Sequence, residues 1–256
     1  MQRRDYPRSI PGILPDAARI PTGAPGVMLG TAAAAELAAS LAAEAAGLFG
    51  PCAHRLTAPP VMDAALADRT GYSRSFPHLL GRVGAGDRLV LAPAVCHHVY
   101  PLLEGLRPEE PLQVAVSGTC FRDEGTTETG RLRSFQMLEV LRVGPPEDCA
   151  AWRDEAVGTA ARWLAGLGVE TTAVPASDPF FGRTGRLLAA AQREQELKWE
   201  LHARTGADTV QAVFSANCHL DHFSAEFGFA MADGPAHSAC LGFGLDRLLL
   251  ALSQPR

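Results

Sequence analysis

The residues best suited to chemistry lie in two alternating segments joined by a loop rich in glycine and threonine, CFRDEGTTETGRLRSFQMLEVLRVG. Alternation predicts strands and the loop composition a flexible turn, so Arg122 and Glu124 end one strand with Phe135 opposite them on the next. A guanidinium can clamp a phosphate, a ring can stack on a base, and a carboxylate can accept from an exocyclic amine. The loop adds two further cations, Arg131 and Arg133. The set suits a nucleotide, although a solvated hairpin with cross-strand ion pairs has the same composition.

A second segment, GFGLDRLLLAL near the end of the chain, also favours an anion. Gly242 and Gly244 permit close backbone approach at the start of a predicted helix, whose N-terminus attracts negative charge. Arg247 lies in the first turn, and the leucines after it recur at helical spacing. Taken alone, the segment equally fits a core helix that follows a glycine turn.

In this order, the two segments resemble motif 2 and motif 3 of class II aminoacyl-tRNA synthetases. The resemblance implies that Arg122 holds the α-phosphate and the amino-acid carboxylate, while Glu124 reads the adenine amine. It also implies that Phe135 stacks on adenine and that Arg247 covers the other face of the base near the γ-phosphate. ATP with Mg²⁺ is therefore the expected nucleotide, and Arg131 or Arg133 is expected to help hold it.

From about residue 55 onward, the chain resembles the zinc-dependent seryl-tRNA synthetases of methanogens and their truncated relatives, the amino acid:[carrier protein] ligases. The matching stretches include TGYSRSFPHLLG, LAPAVCHHVYPLL and SANCHLDHF. In that group a zinc ion is held by Cys, Glu and Cys, which correspond here to Cys96, Glu139 and Cys240. Three protein ligands leave a fourth position open, which the substrate's α-amino group fills by resemblance. Metal binding would also displace a proton from that amine.

Spacing alone would favour other metal ligands. Cys96 is followed directly by His97 and His98, and His219 and His222 are three residues apart, which are denser sets of donors. We interpret these histidines as supporting or structural residues. The other cysteines are expected to be packing residues: Cys52, Cys120, Cys149 and Cys218.

Three polar residues, Ser215, Asn217 and His219, alternate along a predicted strand and therefore share one face. We expect them to position the substrate or the metal bound to ATP, although a polar face at a sheet edge has the same pattern. Ordinary seryl enzymes have an acidic residue six positions before this asparagine. Here that position is Gln211, so we assign no magnesium ligand.

The segment 180–206 occupies the place of the carrier-docking helix in the truncated ligases. Its local excess of basic residues in an acidic chain could steer an acidic carrier protein, although a solvated amphipathic helix would also fit. The candidate docking residues are Arg183, Arg186, Arg193 and Lys198. Scarcely 50 residues precede the first family match, where full-length synthetases of this group have a large tRNA-binding region. A phosphopantetheinylated carrier is therefore the expected acceptor, and tRNA is not.

Periodicity and capping residues predict the elements that must position these side chains. The predicted strands are 88–92, 112–119, 134–142, 169–174, 208–215 and 226–231. The predicted helices are 32–49, 148–167, 185–205 and 245–253. Short connections between strands favour an antiparallel sheet flanked by helices, an α+β fold of the class II synthetase type. We expect one catalytic domain over 1–256, with residues 1–50 as an N-terminal extension.

Bulk properties exclude several classes of protein. The chain has 256 residues and a net charge of −5, which gives no general basic field for nucleic acid. The N-terminus lacks the apolar core of a signal peptide, and no apolar run is long enough for a membrane span. We therefore expect a cytoplasmic protein with reduced cysteines and no membrane partner, and the resemblance implies a homodimer.

These expectations combine into a two-step reaction. ATP activates a small amino acid to an aminoacyl adenylate, and the phosphopantetheine thiol of a carrier protein then takes the aminoacyl group. Two alternatives stay open from sequence. One is a short seryl-type synthetase that charges tRNA, and the other is a catalytically silent paralogue that acts as a regulatory binding subunit.

Overall fold

The computed structural model describes residues 19–84, 86, 88–124, 128–178, 192 and 194–254. Within these ranges the strands are β1 Arg19–Pro21, β2 Met28–Gly30, β3 His54–Ala58, β4 Val61–Asp63, β5 Arg82–Val83, β6 Leu89–Leu91, β7 Leu112–Phe121, β8 Ser134–Gly144, β9 Thr172–Pro175, β10 Lys198–Arg204, β11 Val210–Leu220 and β12 His237–Gly244. The helices are α1 Ala32–Ala45, α2 Ala64–Arg69, α3 Tyr72–Ser75, α4 Pro146–Gly166, α5 His222–Phe227 and α6 Leu245–Leu252. Two 3₁₀ turns span Cys96–His98 and Tyr100–Leu103.

A seven-stranded sheet in the order β3-β7-β8-β12-β11-β10-β9 forms the centre of the fold. Neighbouring strands are antiparallel except β3 and β7, which run parallel. The long strands β7 and β8 form the predicted hairpin, with Phe121 opposite Ser134 at the loop end. Since helices pack around this sheet, the predicted α+β class with a mainly antiparallel sheet is confirmed.

One face of the sheet carries the larger hydrophobic core. Helices α1, α4 and α6 bury their apolar residues against alternate residues of β8, β10, β11 and β12. Aromatic rings dominate the contact: the centroids of Phe214 and Phe243 are 4.8 Å apart, and Trp163 meets Phe243 edge-on at 5.6 Å. Helix α4 begins with Pro146 in its first turn, where a missing N–H costs nothing. This core holds the strands in register.

The opposite face carries a second core that covers only part of the sheet. Tyr100 from a 3₁₀ turn stacks on Phe223 of α5 with ring centroids 3.7 Å apart, and Phe227 lies next to them. Residues of β7, β8 and β12 complete this core. Beyond it, the same face of the sheet forms the floor of a cavity.

Two sequence-based elements are wrong. The segment 226–231 was expected to be a strand, but the helix α5 occupies His222–Phe227 and ends at Gly228, whose φ of +67° makes the left-handed C-terminal cap. The expected helix 185–205 is wrong from Lys198 onward, where β10 begins. Residues 185–191 and 193 of that segment lie outside the described residues.

Strand β12 was missed by sequence reasoning. Its residues HSACLGFG are small and contain two glycines, a composition that is poor in strand formers. It lies between β8 and β11, and its middle residues are buried on both faces, so no alternation is visible. Pairing with β8 and β11, rather than local strand propensity, therefore determines the conformation of β12.

The described part of the chain contains no helix that is both long and apolar enough to cross a membrane. All six cysteines are free thiols in this structure.

Candidate active site

A cavity of about 730 Å³ opens on the face of the sheet opposite α4. Because successive side chains of a strand point to opposite faces, alternate residues of adjacent strands β8, β11 and β12 form its floor. These floor residues are Glu139, Ser215, Asn217, Cys240 and Gly242. The motif 2-like hairpin, α3 and the 3₁₀ turn at Cys96 form its walls. The cavity therefore brings together most of the residues that the sequence singled out.

Three buried donors meet at one end of this cavity. Cys96 comes from a 3₁₀ turn, Glu139 from β8 and Cys240 from β12. Their ligand atoms all lie within 4.8 Å of one another, and a Glu139 carboxylate oxygen accepts a hydrogen bond of 2.6 Å from the Cys96 backbone N–H. In the sheet, Cys240 is paired with Leu141, so Cys240 and Glu139 are diagonal neighbours on the same face. The three residues whose meeting was expected from the resemblance are thus in contact.

The protonation properties of this triad favour a cation. Burial raises the pKa of Glu139, although hydrogen bonds from Cys96 oppose the effect. The pKa of the Cys96 thiol is raised well above its usual value by its hydrogen bond with Cys240 and by burial. That hydrogen bond lowers the pKa of Cys240, but burial and Glu139 raise it overall. Three groups that become anionic thus share a site that disfavours negative charge. A metal cation would stabilise the three negative charges. Two thiolates with one carboxylate are a donor set that fits Zn²⁺.

The neighbouring histidines have packing contacts instead. Among the described residues, no group of three closely spaced metal donors includes a histidine. The His97 ring lies 5.8 Å from Tyr72 and 6.5 Å from Phe223, and burial lowers the pKa of His97 to about 3. The His222 Nε2 lies 3.3 Å from the carbonyl oxygen of Thr70. These rings line the cavity around the triad without joining it.

Arg122 and Phe135 form the cation and ring pair that the hairpin predicted. The guanidinium carbon of Arg122 lies 5.3 Å from the centre of the Phe135 ring. The Arg122 Nε donates a hydrogen bond of 3.2 Å to the carbonyl of Pro93, which fixes the plane of the guanidinium. Both side chains are partly buried and line the cavity. A phosphate at the guanidinium and a flat base near the ring would occupy adjacent positions.

Arg131 joins this cluster from the loop of the hairpin. Its Nη1 donates to Glu124 at 2.8 Å, and its Nε donates to Glu128 at 3.0 Å. Glu124, the expected reader of an adenine amine, is therefore bound to Arg131 in this structure. Because the Arg131 side chain is 44% exposed, this ion pair is in contact with water and weak. A ligand that satisfied either partner could replace it.

Arg247 connects the hairpin loop to the sheet. Its Nε donates to the carbonyl of Gly130 at 2.9 Å, and its Nη1 donates to the carbonyl of Ala212 at 3.1 Å. Burial and the nearby Arg131 lower the pKa of Arg247. Gln211 binds the same loop, since its amide donates to the carbonyl of Thr129 at 2.8 Å. The position where an acid was expected thus supports the loop by hydrogen bonding.

Arg133 does not belong to the cavity lining, and its expected role in ATP binding stays a prediction. Its Nε donates to the carbonyl of Glu124 at 3.2 Å and pairs with the Asp123 carboxylate at 3.3 Å. The side chain therefore stabilises the hairpin end. Of the two arginines that the sequence left open, Arg131 is the one that lies in the cavity.

The polar row on β11 lies where the alternation predicted. Ser215, Asn217 and His219 all line the cavity. The Asn217 amide lies 3.5 Å from both the Ser215 hydroxyl and the Cys240 carbonyl, which brings it beside the triad. The row thus extends along the cavity floor beside the triad.

A charged group around Lys198 was missed by sequence reasoning. Lys198, expected on a docking helix, lies on β10 with its side chain only 12% exposed. Its amine is hydrogen-bonded to Asp178 and lies 3.3 Å from Glu200, inside the cavity. A buried amine cannot meet a carrier protein's surface, so this docking assignment is wrong. The alternation in KWELHAR was a signal for a strand. The other docking candidates lie outside the described residues: Arg183, Arg186 and Arg193.

The lowered pKa of His219 predicts that the folded protein loses stability in acid. Burial lowers its pKa to about 4, and its Nδ1 lies 3.1 Å from the Ser238 hydroxyl and 3.3 Å from the Tyr100 hydroxyl. The unfolded chain, with a histidine pKa near 6.5, binds the proton first, so the contribution is complete above about pH 6.5 and is lost as the pH falls toward 4. We expect the free energy of unfolding in urea to fall by about 2 kcal/mol from this group across that interval.

The control for this effect is a pair of asparagine variants. His219→Asn should lose less stability than the wild type between pH 6.5 and 4.5, whereas His54→Asn, at an exposed position, should keep the wild-type dependence. Parallel curves for all three proteins would contradict the assignment.

Comparison with known proteins extends what the geometry indicates. Residues 82–255 match the family model described as the tRNA synthetase class II core domain (G, H, P, S and T). The chain is 36% identical over 224 residues to amino acid–[acyl-carrier-protein] ligase 1 of Bradyrhizobium diazoefficiens, with 76% of this chain and 69% of the relative aligned. It is 34% identical over 260 residues to ligase 2 of the same organism, with 90% and 78% aligned.

Solved structures share the fold at lower identity. The complex of A. aeolicus tRNASec with M. kandleri SerRS superposes with a TM-score of 0.74 at 20% identity, over 91% of this chain and 54% of that one. The chain thus spans about half the length of that structure. At this identity the likeness concerns the fold alone.

Proposed function

The chain belongs to the class II tRNA synthetase core-domain family and, within it, to the amino acid–[acyl-carrier-protein] ligases; from this premise we propose that it activates a small amino acid with ATP and transfers the aminoacyl group to a carrier protein. One observation carries the proposal: the thiol–carboxylate triad and the arginine–phenylalanine pair line the same cavity. The first suits an amino acid and the second a nucleotide. Adenylate formation requires the amino acid and the nucleotide to be in contact.

ATP is expected to bind between the motif 2-like hairpin and α6. Arg122 would donate its paired N–H groups to the α-phosphate, and the adenine would stack on Phe135. Glu124 would accept from the exocyclic amine of adenine once released from Arg131, which would then be free to bind the phosphates. Arg247 would cover the other face of the base. Mg²⁺ accompanies the nucleotide in this proposal, and no residue is assigned to it.

Cys96, Glu139 and Cys240 are the residues that would hold zinc. A bound zinc ion would supply a Lewis-acid position for the substrate's α-amino group, which must be neutral to bind. Selection of a free amino acid over other carboxylates follows from that requirement. Asn217, which lies beside the triad, would orient the amino acid relative to the nucleotide.

The chain's residues would act by alignment and charge stabilisation. A carboxylate oxygen of the amino acid attacks the α-phosphorus, the bond to the bridging oxygen breaks, and pyrophosphate leaves. Arg122 stabilises the negative charge on the phosphoryl oxygens during this step. The carrier thiol, having lost its proton, then attacks the carbonyl of the mixed anhydride, and AMP leaves with the carbon–oxygen bonding pair. Neither step requires a protein nucleophile.

Amino-acid-dependent ATP–pyrophosphate exchange tests the activation step. With zinc-replete protein we expect exchange with glycine or alanine and much weaker exchange with large side chains, since one methylene changes discrimination by roughly 10–200-fold. A panel of amino acids assayed at equal concentration gives the ranking. If no amino acid supports exchange, the chain is a silent paralogue and the proposal fails.

Carrier charging tests the second step. A phosphopantetheinylated carrier should gain the mass of one aminoacyl group, and hydroxylamine should remove it because the bond is a thioester. The same carrier without its phosphopantetheine lacks the thiol and should stay uncharged. Aminoacylation of tRNA in place of the carrier would support the seryl-type alternative. Homodimerisation and docking through Arg183, Arg186 and Arg193 stay predictions.

A further inference from the structure

The N-terminal hairpin of β1 and β2 is hydrogen-bonded to the motif 2-like hairpin through the backbone of Gly26. The carbonyl oxygen of Gly26 accepts hydrogen bonds from the backbone N–H groups of Arg133 at 2.7 Å and Ser134 at 3.3 Å. These two residues lie where the loop enters β8, between Arg131 of the loop and Phe135 of the strand. The contact therefore adjoins both nucleotide-binding side chains.

Arg133 is held from two sides at this point. Its carbonyl accepts a hydrogen bond of 2.8 Å from the backbone N–H of Arg122, and its own N–H binds Gly26. The three backbone segments thus pair side by side, with the phosphate-binding Arg122 at one edge and the N-terminal hairpin at the other. A shift of the middle segment would move Arg122 and Phe135 relative to each other.

The turn that carries Gly26 has its own internal support. The Thr22 hydroxyl donates to the carbonyl of Val27 at 2.9 Å, and the Val27 N–H donates to the carbonyl of Ala24 at 3.1 Å. Around this contact the turn and the loop do not pack closely, since a mainly apolar cavity of about 380 Å³ lies between them and α6. The backbone hydrogen bonds of Gly26 therefore position the loop of the motif 2-like hairpin. Side-chain packing contributes little there.

Gly26 is suited to this contact for two reasons. Its φ of +71° is in the left-handed region that glycine adopts freely. A Cβ at this position would lie 2.7 Å from the Arg133 backbone nitrogen, so a side chain would push the loop away. A backbone atom cannot move aside as a flexible side chain can.

We propose that Gly26 is a positioning residue for ATP: through Arg133, the N-terminal hairpin fixes the hairpin loop so that Arg122, Arg131 and Phe135 converge on the nucleotide. The role rests on the proposed function, because it concerns ATP binding during amino-acid activation. It predicts a defect that is larger for ATP than for the amino acid. Cys96, Cys240 and Asn217 lie on other elements, and Glu139 lies further along β8, beyond the contact.

Gly26→Ala is the direct test. We expect the KM for ATP to rise and kcat for exchange to fall, each roughly tenfold, because displacement of a positioned group by about 1 Å can cost on the order of 100-fold. The KM for the amino acid should rise less than the KM for ATP, because Arg131 and Phe135 are expected to contact only the nucleotide, and Arg122 alone also holds the amino-acid carboxylate. Gly26→Asn separates backbone strain from the steric collision. Asparagine tolerates a positive φ but has a Cβ, so this variant should share the defect.

Gly84→Ala is the matched control, since Gly84 has a φ of +73° but a Cβ there would meet no atom within 4 Å. It carries the same backbone strain without the collision and should retain wild-type kinetics. If Gly26→Ala matched Gly84→Ala in both the KM for ATP and kcat, or if Gly26→Asn behaved as the wild type, the positioning role would be overturned. An equal rise in the KM for both substrates would also overturn it.

Amide hydrogen exchange gives a second, activity-independent result. The N–H groups of Arg133 and Ser134 should exchange faster in Gly26→Ala than in Gly84→Ala, while β11 and β12 stay protected. If the wild type catalyses no ATP–pyrophosphate exchange with any amino acid, the proposed function fails. The amide hydrogen exchange still tests the contact between Gly26 and Arg133. Unchanged protection of both amides would contradict the contact even in an active enzyme.

Discussion

Cys240→Ser is expected to remove bound zinc and amino-acid-dependent ATP–pyrophosphate exchange together. Cys240 is 3% exposed and its thiol lies in a cluster with Cys96 and Glu139, so a serine hydroxyl there would be a poor ligand for the metal at a buried site. Replacing a partner of a metal ligand typically costs 10–100-fold, so we expect loss of a ligand itself to exceed about 100-fold. Metal content after dialysis and exchange rate are measured on the same protein sample.

A matched variant separates metal loss from general damage to the core. Cys149 is also fully buried, but it lies on α4 on the opposite side of the sheet, and its thiol donates to the carbonyl of His237 at 3.4 Å. A serine can keep that hydrogen bond, so Cys149→Ser should retain both zinc and exchange. Full activity in a zinc-free Cys240→Ser protein would refute the metal assignment. Loss of activity with zinc still bound would assign the cysteine a different role.

The hairpin was predictable because its residues specify their own geometry. A period of two places one face of β7 and β8 against the core, and a slip of one residue would reverse every side chain. Once the pairing brings Phe121 opposite Ser134, Arg122 and Phe135 must meet at the same end. The local pattern therefore predicted that Arg122 and Phe135 lie together. It did not decide between Arg131 and Arg133.

The metal-type triad could not be read from local pattern. Its members lie on a 3₁₀ turn and on two strands that are adjacent only after the sheet has formed. One of those strands, β12, has almost no strand signal of its own. The resemblance to a known family identified the three residues, and the pairing of β8 with β12 explains why Cys240 and Glu139 share a face.

Lys198 shows the opposite failure, in which local composition was misleading. The segment before it is rich in residues that favour helices, and the helical interpretation was continued into KWELHAR. Pairing of Lys198 with Asn217 across β10 and β11 overrides that propensity. The same pairing puts the amine between Asp178 and Glu200, where a solvated cation had been expected.

The role of Gly26 has no sequence signal at all. A glycine in a turn is common, and its effect depends on which backbone lies against it. That neighbour, Arg133, is more than a hundred residues away in the chain, so only the folded arrangement reveals the contact.

Arg122→Lys is expected to lower kcat for exchange by roughly 100- to 1000-fold, the cost typical of removing one donor to a developing oxyanion. Lysine keeps the positive charge but loses both the paired N–H donors and the Nε hydrogen bond to Pro93. Burial acts to lower the pKa of Arg122, but Tyr72, Cys120 and Asp178 raise it, so the group stays cationic. The defect should therefore reflect geometry, with kcat falling further than the KM for ATP rises.

Arg133→Lys is the comparison that gives this result its meaning, because it makes the same exchange of side chains on the same hairpin. Arg133 lies outside the cavity lining and binds Asp123 and the carbonyl of Glu124, so its replacement should change kcat by less than about tenfold, as expected for an exposed ion pair. Equal defects in the two variants would mean that the hairpin responds as a unit and that Arg122 has no special contact with the phosphoryl group. A large defect for Arg122→Lys alone would assign transition-state stabilisation to the arginine beside Phe135, where the structure brings a cation and a stacking surface together.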